Sequence, residues 1–182
     1  MKNLTPEQYA ELSAQCVKHY KAEVFDDTNS AYKYAKHVIG TVSDIKNPAF
    51  AYGDAIFIPR MPGLAPAARF AVLCHELQHV RQWRSDPLFL MHYVWSKYKR
   101  ARIETSAFCV QMEVEYLTTG NIQHNAGECA NMLRAYNVGR VNVALCKRTL
   151  IKRARNILVH QKIESSIGRY IQRLVGELEL GR

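Results

Sequence analysis

The sequence predicts an α+β domain that is mainly helical, with one small sheet. Apolar residues recur at helical spacing through most of the chain. One short run, Asp54-Ala55-Ile56-Phe57-Ile58, has strand character, and Pro59 stops it. No repeat, low-complexity stretch or linker divides the 182 residues, so a single domain over 1–182 is expected.

Thr5-Pro6-Glu7-Gln8 reads as N-cap, Pro at the first helical position and capping-box Gln. The helix that follows places Tyr9, Ser13, Cys16, Val17 and Tyr20 on one face. After the Asp26–Ser30 break, a second helix spans about 31–39, with Ala31, Tyr34, Ala35 and Val38 inward and Gly40 at its end. Residues 41–53 read as loop, with turn signals at Asn47-Pro48 and Tyr52-Gly53. The strand follows. Met61-Pro62-Gly63-Leu64-Ala65 then leads tightly into a helix over about 66–83. Asp86-Pro87 restarts a helix whose apolar stripe is Leu88, Met91, His92, Trp95 and Tyr98. Lys97, Lys99, Arg100 and Arg102 form a basic cluster where it meets the next helix. That helix, about 102–118, turns Ile103, Ala107, Val110, Val114 and Leu117 inward, and Gly120 caps it. Asn125 caps a helix over about 126–136. Val141, Ala144, Leu145, Ile151 and Leu158 continue a helical period, and Ile163, Ile167, Tyr170, Ile171 and Leu174 form a last amphipathic helix.

Of the net charge of +9, the first 60 residues carry none and residues 121–182 carry +7. A basic C-terminal third suits an acidic partner such as nucleic acid, an anionic membrane surface or an acidic protein, or a solvated helix face. Five cysteines, odd in number and without C-x-x-C, read as reduced, buried thiols. There is no membrane-length apolar run, and Met1–Glu7 has no apolar leader. The expected location is cytoplasmic, or outside by a route without a cleaved signal.

The chemistry centres on His75-Glu76-Leu77-Gln78-His79, an H-E-x-x-H motif. Histidines at i and i+4 share one helix face, where two imidazole nitrogens can hold one divalent metal, zinc by preference. Glu76 lies about 100° around the helix from His75, placed to act as general base toward water activated by the metal. Apolar neighbours from Phe70 to Val80 bury the motif, so its polar side chains need partners. Cys74 points elsewhere on the helix.

A catalytic zinc needs a third protein ligand. A Gly and a His three and six residues past His79 would mark the metzincin pattern, but Gln82 and Ser85 stand there. Asp86, His92, Glu104, Glu113, Glu115 and His124 remain as candidates. Glu104 is preferred: Ala101, Thr105 and Phe108 flank it on a helix that turns it inward, the alternative being an ion pair with Arg100. His92 is second, with a core histidine as its alternative. His92, Tyr93, Arg102 and His124 are candidates for touching substrate or stabilising a transition-state oxyanion. Gln78 reads as structural or supporting the ligands, and Gln82 and Trp83 as packing.

The H-E-L-Q-H helix, followed by a helix with Glu104 in E-T-S-A, resembles the gluzincin type of zincin-like metallopeptidase over roughly residues 53–118. The resemblance implies one Zn²⁺ held by His75, His79 and Glu104, with Glu76 as catalytic base. It implies hydrolysis of a protein or peptide substrate, as an endopeptidase rather than an exopeptidase. It makes Asp54, Ala55, Ile56, Phe57 and Ile58 an edge strand on which substrate pairs by β-augmentation. Small proteins of this kind include phage-encoded and virion-associated ones. Two further readings stand beside it: a protease recruited to nucleic acid by its basic C-terminal helices, and a zinc-stabilised binding or structural protein without turnover.

Overall fold

The computed structural model describes residues 4–60 and 62–179. The predicted capping box opens α1 (Pro6–His19): the Thr5 side chain accepts from the Gln8 amide, and the Gln8 side chain accepts from the Thr5 amide. Three short strands follow in the first third of the chain, β1 (Glu23–Phe25), β2 (Phe50–Tyr52) and β3 (Ala55–Phe57), with α2 (Ser30–Gly40) between β1 and β2. The rest is helical: α3 (Pro66–Ser85), α4 (Phe89–Trp95), α5 (Lys97–Thr119), α6 (Ala126–Ala135), α7 (Arg140–His160) and α8 (Ser166–Glu179). The protein is therefore mainly helical with a small sheet, as expected. No helix among the described residues is long and apolar enough to cross a membrane.

The sheet corrects one expectation. Its order is β1-β3-β2, with β1 parallel and β2 antiparallel to β3. The predicted strand, Asp54–Ile58, is thus the central one. Glu23 donates to the Asp54 carbonyl and Ile58 donates to the Phe25 carbonyl, so both ends of this segment are also tied to the β1 side. It offers no free edge. Ile56 and Phe57 are its most buried residues, which is why this segment alone carried an apolar signal. The edge on the other side belongs to β2, inside the stretch read as loop. Strands of three residues are too short to show an alternating pattern.

Three predicted helix faces also shift. In α2, Tyr32 packs against Phe50 and Phe57, while Ala31 and Tyr34 are exposed; the side chains of Ala35 and Val38 lie outside the described residues. In α4, Phe89 and Tyr93 turn inward, and Leu88, Met91 and Trp95 face solvent, as does Tyr98 at the start of α5. Asp86 accepts the Leu88 amide and carries a turn rather than a helix start, so α4 begins later than Pro87 suggests. In α7 the buried stripe is Val143, Cys146, Leu150 and Ile157, and Val141, Leu145, Ile151 and Leu158 are exposed. Both stripes of α7 repeat at helical spacing, and only the packing partners choose between them.

Two cores meet at α5. One joins α1, α3, β3, α5 and α8 through residues such as Leu12, Ile56, Leu77, Val114 and Ile171. The other joins α5, α6 and α7 through Met112, Leu133, Leu150 and Ile157. Since α5 packs against α3, α4, α6, α7 and α8, many of its polar residues are buried. Arg100 is one of them. It leaves the expected basic cluster and donates to the carbonyls of Tyr93, Val94, Tyr136 and Asn137, tying α4 and the end of α6 to α5.

Candidate metal centre

The motif lies in the middle of α3, whose middle turns are buried on nearly every side. His75, Glu76 and His79 are all at most 6% exposed. Glu104, in the second turn of α5, is 1% exposed and faces them across the α3–α5 contact. Its Oε2 lies 3.4 Å from His75 Nε2 and 3.6 Å from His79 Nε2. Three ligands around a tetrahedral zinc, with bonds near 2.0–2.1 Å, would stand about 3.3 Å apart. The spacing fits that geometry. These are the three residues among those described whose donor atoms gather as a metal could use them.

The remaining atoms of the three side chains are committed. His75 Nδ1 pairs with Gln111 Oε1 at 3.2 Å, and His79 Nδ1 pairs with Gln82 Oε1 at 2.8 Å. Each glutamine oxygen accepts, so each Nδ1 carries a proton, and in the neutral ring that a metal requires Nε2 keeps its lone pair toward Glu104. Gln82 is anchored in turn by donating to the Ile103 carbonyl, and Gln111 by donating to Glu115 Oε1. On the carboxylate, Tyr93 donates its phenol to Oε1 of Glu104 at 2.6 Å. That leaves Glu104 Oε2 and Glu76 Oε2 buried without a hydrogen-bond partner. Buried carboxylate oxygens without a hydrogen bond are costly unless a cation, a bound metal or a protonated imidazole, completes them.

Comparison with known protein families, curated proteins and solved structures finds no match.

The electrostatics follow from burial and facing charges. Burial raises the Glu76 carboxyl above its ordinary value, only partly offset by the two histidines and a backbone hydrogen bond from Ala51 of β2. Burial would also raise Glu104, but the imidazoles beside it outweigh that and hold it well below the usual carboxylate range. Burial alone would depress His79; the facing carboxylates of Glu104 and Glu76 prevail and lift it to about 9. The phenols of Tyr93 and Tyr136 are pushed well up, by burial first and the Glu104 charge second, so both stay protonated.

The other candidates fall away from the centre or behind it. His92 pairs with Asp86 at 2.7 Å on the surface of α4. Arg102 is exposed and donates to the Tyr98 hydroxyl. Glu113 accepts from Arg153 and from the amides of Glu164 and Ser165. Glu115 accepts from the amides of Gln123 and His124 and pairs with the His124 ring at 2.6 Å. His124 therefore reaches the centre only through Glu115 and Gln111. Of the four predicted substrate-contacting residues, Tyr93 alone stands in the centre. Cys74 is buried against Cys16 on the far side of α3.

Gln111, Tyr136 and the backbone of Ala51 were not singled out from sequence. Gln111 carried one faint signal, lying two helical turns past Glu104. Gln82, expected only to pack, lies three residues past His79 and so reaches its ring.

A cleft opens onto the centre between β2 and α4. Ala51, Tyr52, Trp83, Phe89 and Tyr136 line it with Glu76, His79 and Glu104 at its floor. Its volume is about 30 Å³, room for about one water molecule.

Proposed function

We propose that this protein is a zinc-dependent peptidase with a zincin-like active site. His75, His79 and Glu104 hold the metal, and Glu76 is the catalytic base. One observation carries the reading: Oε2 of Glu76 and Oε2 of Glu104 are both buried without a hydrogen-bond partner, beside two imidazoles whose Nδ1 atoms are already fixed. The two-nitrogen, one-oxygen donor set suits zinc and leaves a fourth position open.

A bound zinc would polarise the scissile carbonyl and bring the ionisation of water near neutral pH. The chain supplies the rest. Glu76, with its carboxyl raised by burial, takes a proton from water at Oε2 and passes it to the leaving amine. Tyr93 and the two glutamines hold the ligand side chains in place. The edge strand of the reading is β2, not the Asp54–Ile58 segment. With β3 on one side and the cleft on the other, β2 is the edge beside the centre; the Ala51 amide is held by Glu76, which leaves its carbonyl to pair with an extended protein or peptide substrate. The apolar walls of the cleft favour apolar side chains next to the cleaved bond.

The smallness of the cleft favours a second reading, a zinc-stabilised protein without turnover. Glu76 separates the two, since a structural site has no use for a buried carboxylate in the base position. The test is hydrolysis of an unfolded, fluorescently labelled protein by wild type and by Glu76→Gln, with zinc content measured in both. Zinc in both and cleavage by wild type alone support the peptidase. Zinc in both and cleavage by neither, over a broad set of unfolded substrates, would favour the structural reading.

A further inference from the structure

Around α5 from the metal centre lies a much larger concavity. It is an open groove of about 910 Å³ between α3, α5, α7 and the turn into α8. Four arginines line it, Arg81 from α3, Arg102 from α5, Arg153 from α7 and Arg169 from α8, against a single lining carboxylate, Glu164. Arg153 is committed, since it bridges buried Glu113 and Glu164. The other three have no carboxylate partner among the described residues. Arg81 donates to the Gln78 side chain, Arg102 to the Tyr98 hydroxyl and Arg169 to the Glu164 carbonyl. Three guanidinium groups held by neutral acceptors, each with donors to spare, present a fork geometry suited to phosphate oxygens.

The positive lining does not stop at the groove. Arg148 and Lys152, exposed on α7, lie one helical turn from the groove-lining Leu145 and Thr149 and add positive charge outside the lining itself. A basic track that leaves its groove along a helix is longer than a small phosphorylated molecule needs. An aromatic ring accompanies it. Tyr98 is half exposed at the groove wall with Arg102 stacked over it at 5.7 Å. A ring and cationic forks in one slot match bases that stack and a backbone that carries charge. Stacking on Tyr98 needs unpaired bases, which a single strand offers and a duplex, with its bases already stacked on one another, does not.

We propose that this groove binds the backbone of a single-stranded nucleic acid, with Arg81, Arg102 and Arg169 on phosphates and Tyr98 as a stacking surface. It makes no use of the metal centre and stands whether or not the protein cleaves peptides.

The test is fluorescence anisotropy of a labelled twelve-nucleotide oligothymidylate with the full chain at low salt. Competitors are the matching duplex, polyglutamate and inorganic phosphate. Saturable binding is expected, falling steeply with salt, with the duplex and polyglutamate competing at least about tenfold more weakly. Arg102→Ala with Arg169→Ala should weaken binding about tenfold or more and flatten the salt dependence. Tyr98→Ala should weaken it several-fold with the salt slope unchanged. Lys33→Ala, on α2 away from the groove, should change nothing. Circular dichroism confirms that each variant is folded, and the arginines and Tyr98 are surface side chains that the cores do not need. No saturable binding by wild type, equal competition by polyglutamate or duplex, or a double variant that binds like wild type would each overturn the proposal.

Discussion

Tyr93 donates its phenol to Oε1 of Glu104 at 2.6 Å, and this leaves Oε2 of the same carboxylate facing the imidazoles of His75 and His79. One oxygen fixes the group and the other stays available to a metal. The short helix α4, though it would supply no ligand, is thereby built into the centre. Arg100 secures it there through the Tyr93 and Val94 carbonyls.

Tyr93→Phe removes only the phenol oxygen and keeps the ring stacked on Phe89. Zinc should still bind, one per chain, with affinity lower by about 10-fold or more, as for other residues that orient metal ligands. Folding stability of the metal-free chain should fall by about 1.5–3 kcal/mol, since the lost hydrogen bond is to a charged, buried carboxylate. Competition against a chromophoric chelator measures the first, and urea unfolding the second. Unchanged zinc affinity would detach Tyr93 from the centre.

Two glutamines make a paired prediction. Gln111→Leu takes away the acceptor that fixes His75 and should lower zinc affinity about 10–100-fold. Gln78→Leu, inside the motif but bonded to Ser106 and Arg81 on the groove side, should leave it unchanged. Equal effects of the two would mean that the motif's helix, not ligand orientation, sets the affinity.

The pH dependence has a definite sign. In the metal-free chain His79 is lifted from an ordinary value near 6.5 to about 9 by the carboxylates facing it. Its protonated pairing therefore contributes stability that is fully present below about pH 6.5 and is lost as pH rises toward 9. Zinc needs the neutral imidazole, so its affinity runs the other way and strengthens with pH across the same window. Thermal melts from pH 6 to 9.5, with and without zinc, should show metal-free stability falling while the stabilisation by zinc grows. Parallel curves would contradict this coupling.

Gly168 offers a test away from the centre. A methyl group there would collide with the carboxylate of buried Glu113, with a methyl of Ile163 at 2.6 Å and with the Ser165 hydroxyl at 2.9 Å. Glu113 receives the amides at the start of α8 together with Arg153, so the clash falls on the junction that docks the last helix. Gly168→Ala should cost about 1–3 kcal/mol, read as a lowered melting temperature without loss of zinc stoichiometry.

The centre was legible in the sequence to the extent that helix periodicity governs it. Spacing along one helix brings His75 and His79 together, and an inward face brings in Glu104; the structure gathers all three. What spacing could not show were groups oriented by tertiary packing. Tyr93 looked like one of several polar residues beside an apolar stripe, and the stripe itself faces solvent because α4 begins after an Asp86 turn. Gln111 is a polar residue on a helix buried all round, and amphipathic pattern is silent on such helices. β1 and β2 are three residues each and owe their existence to pairing with β3, so no local signal marked them. For the same reason the one segment with a strand signal of its own is the sheet's centre and not its edge. In α7 two apolar stripes have equal claim, and only packing against α5 and α6 buries the one with Val143, Cys146, Leu150 and Ile157.

The most direct test of the proposed metal centre is a calorimetric titration of zinc into metal-free wild type and Glu104→Ala at pH 7.5. One tight site per wild-type chain is expected, with binding weaker by at least about 100-fold in Glu104→Ala, where two imidazoles are left to hold the ion. Absence of zinc uptake by the wild type, or equally tight binding by the variant, would contradict the proposed centre.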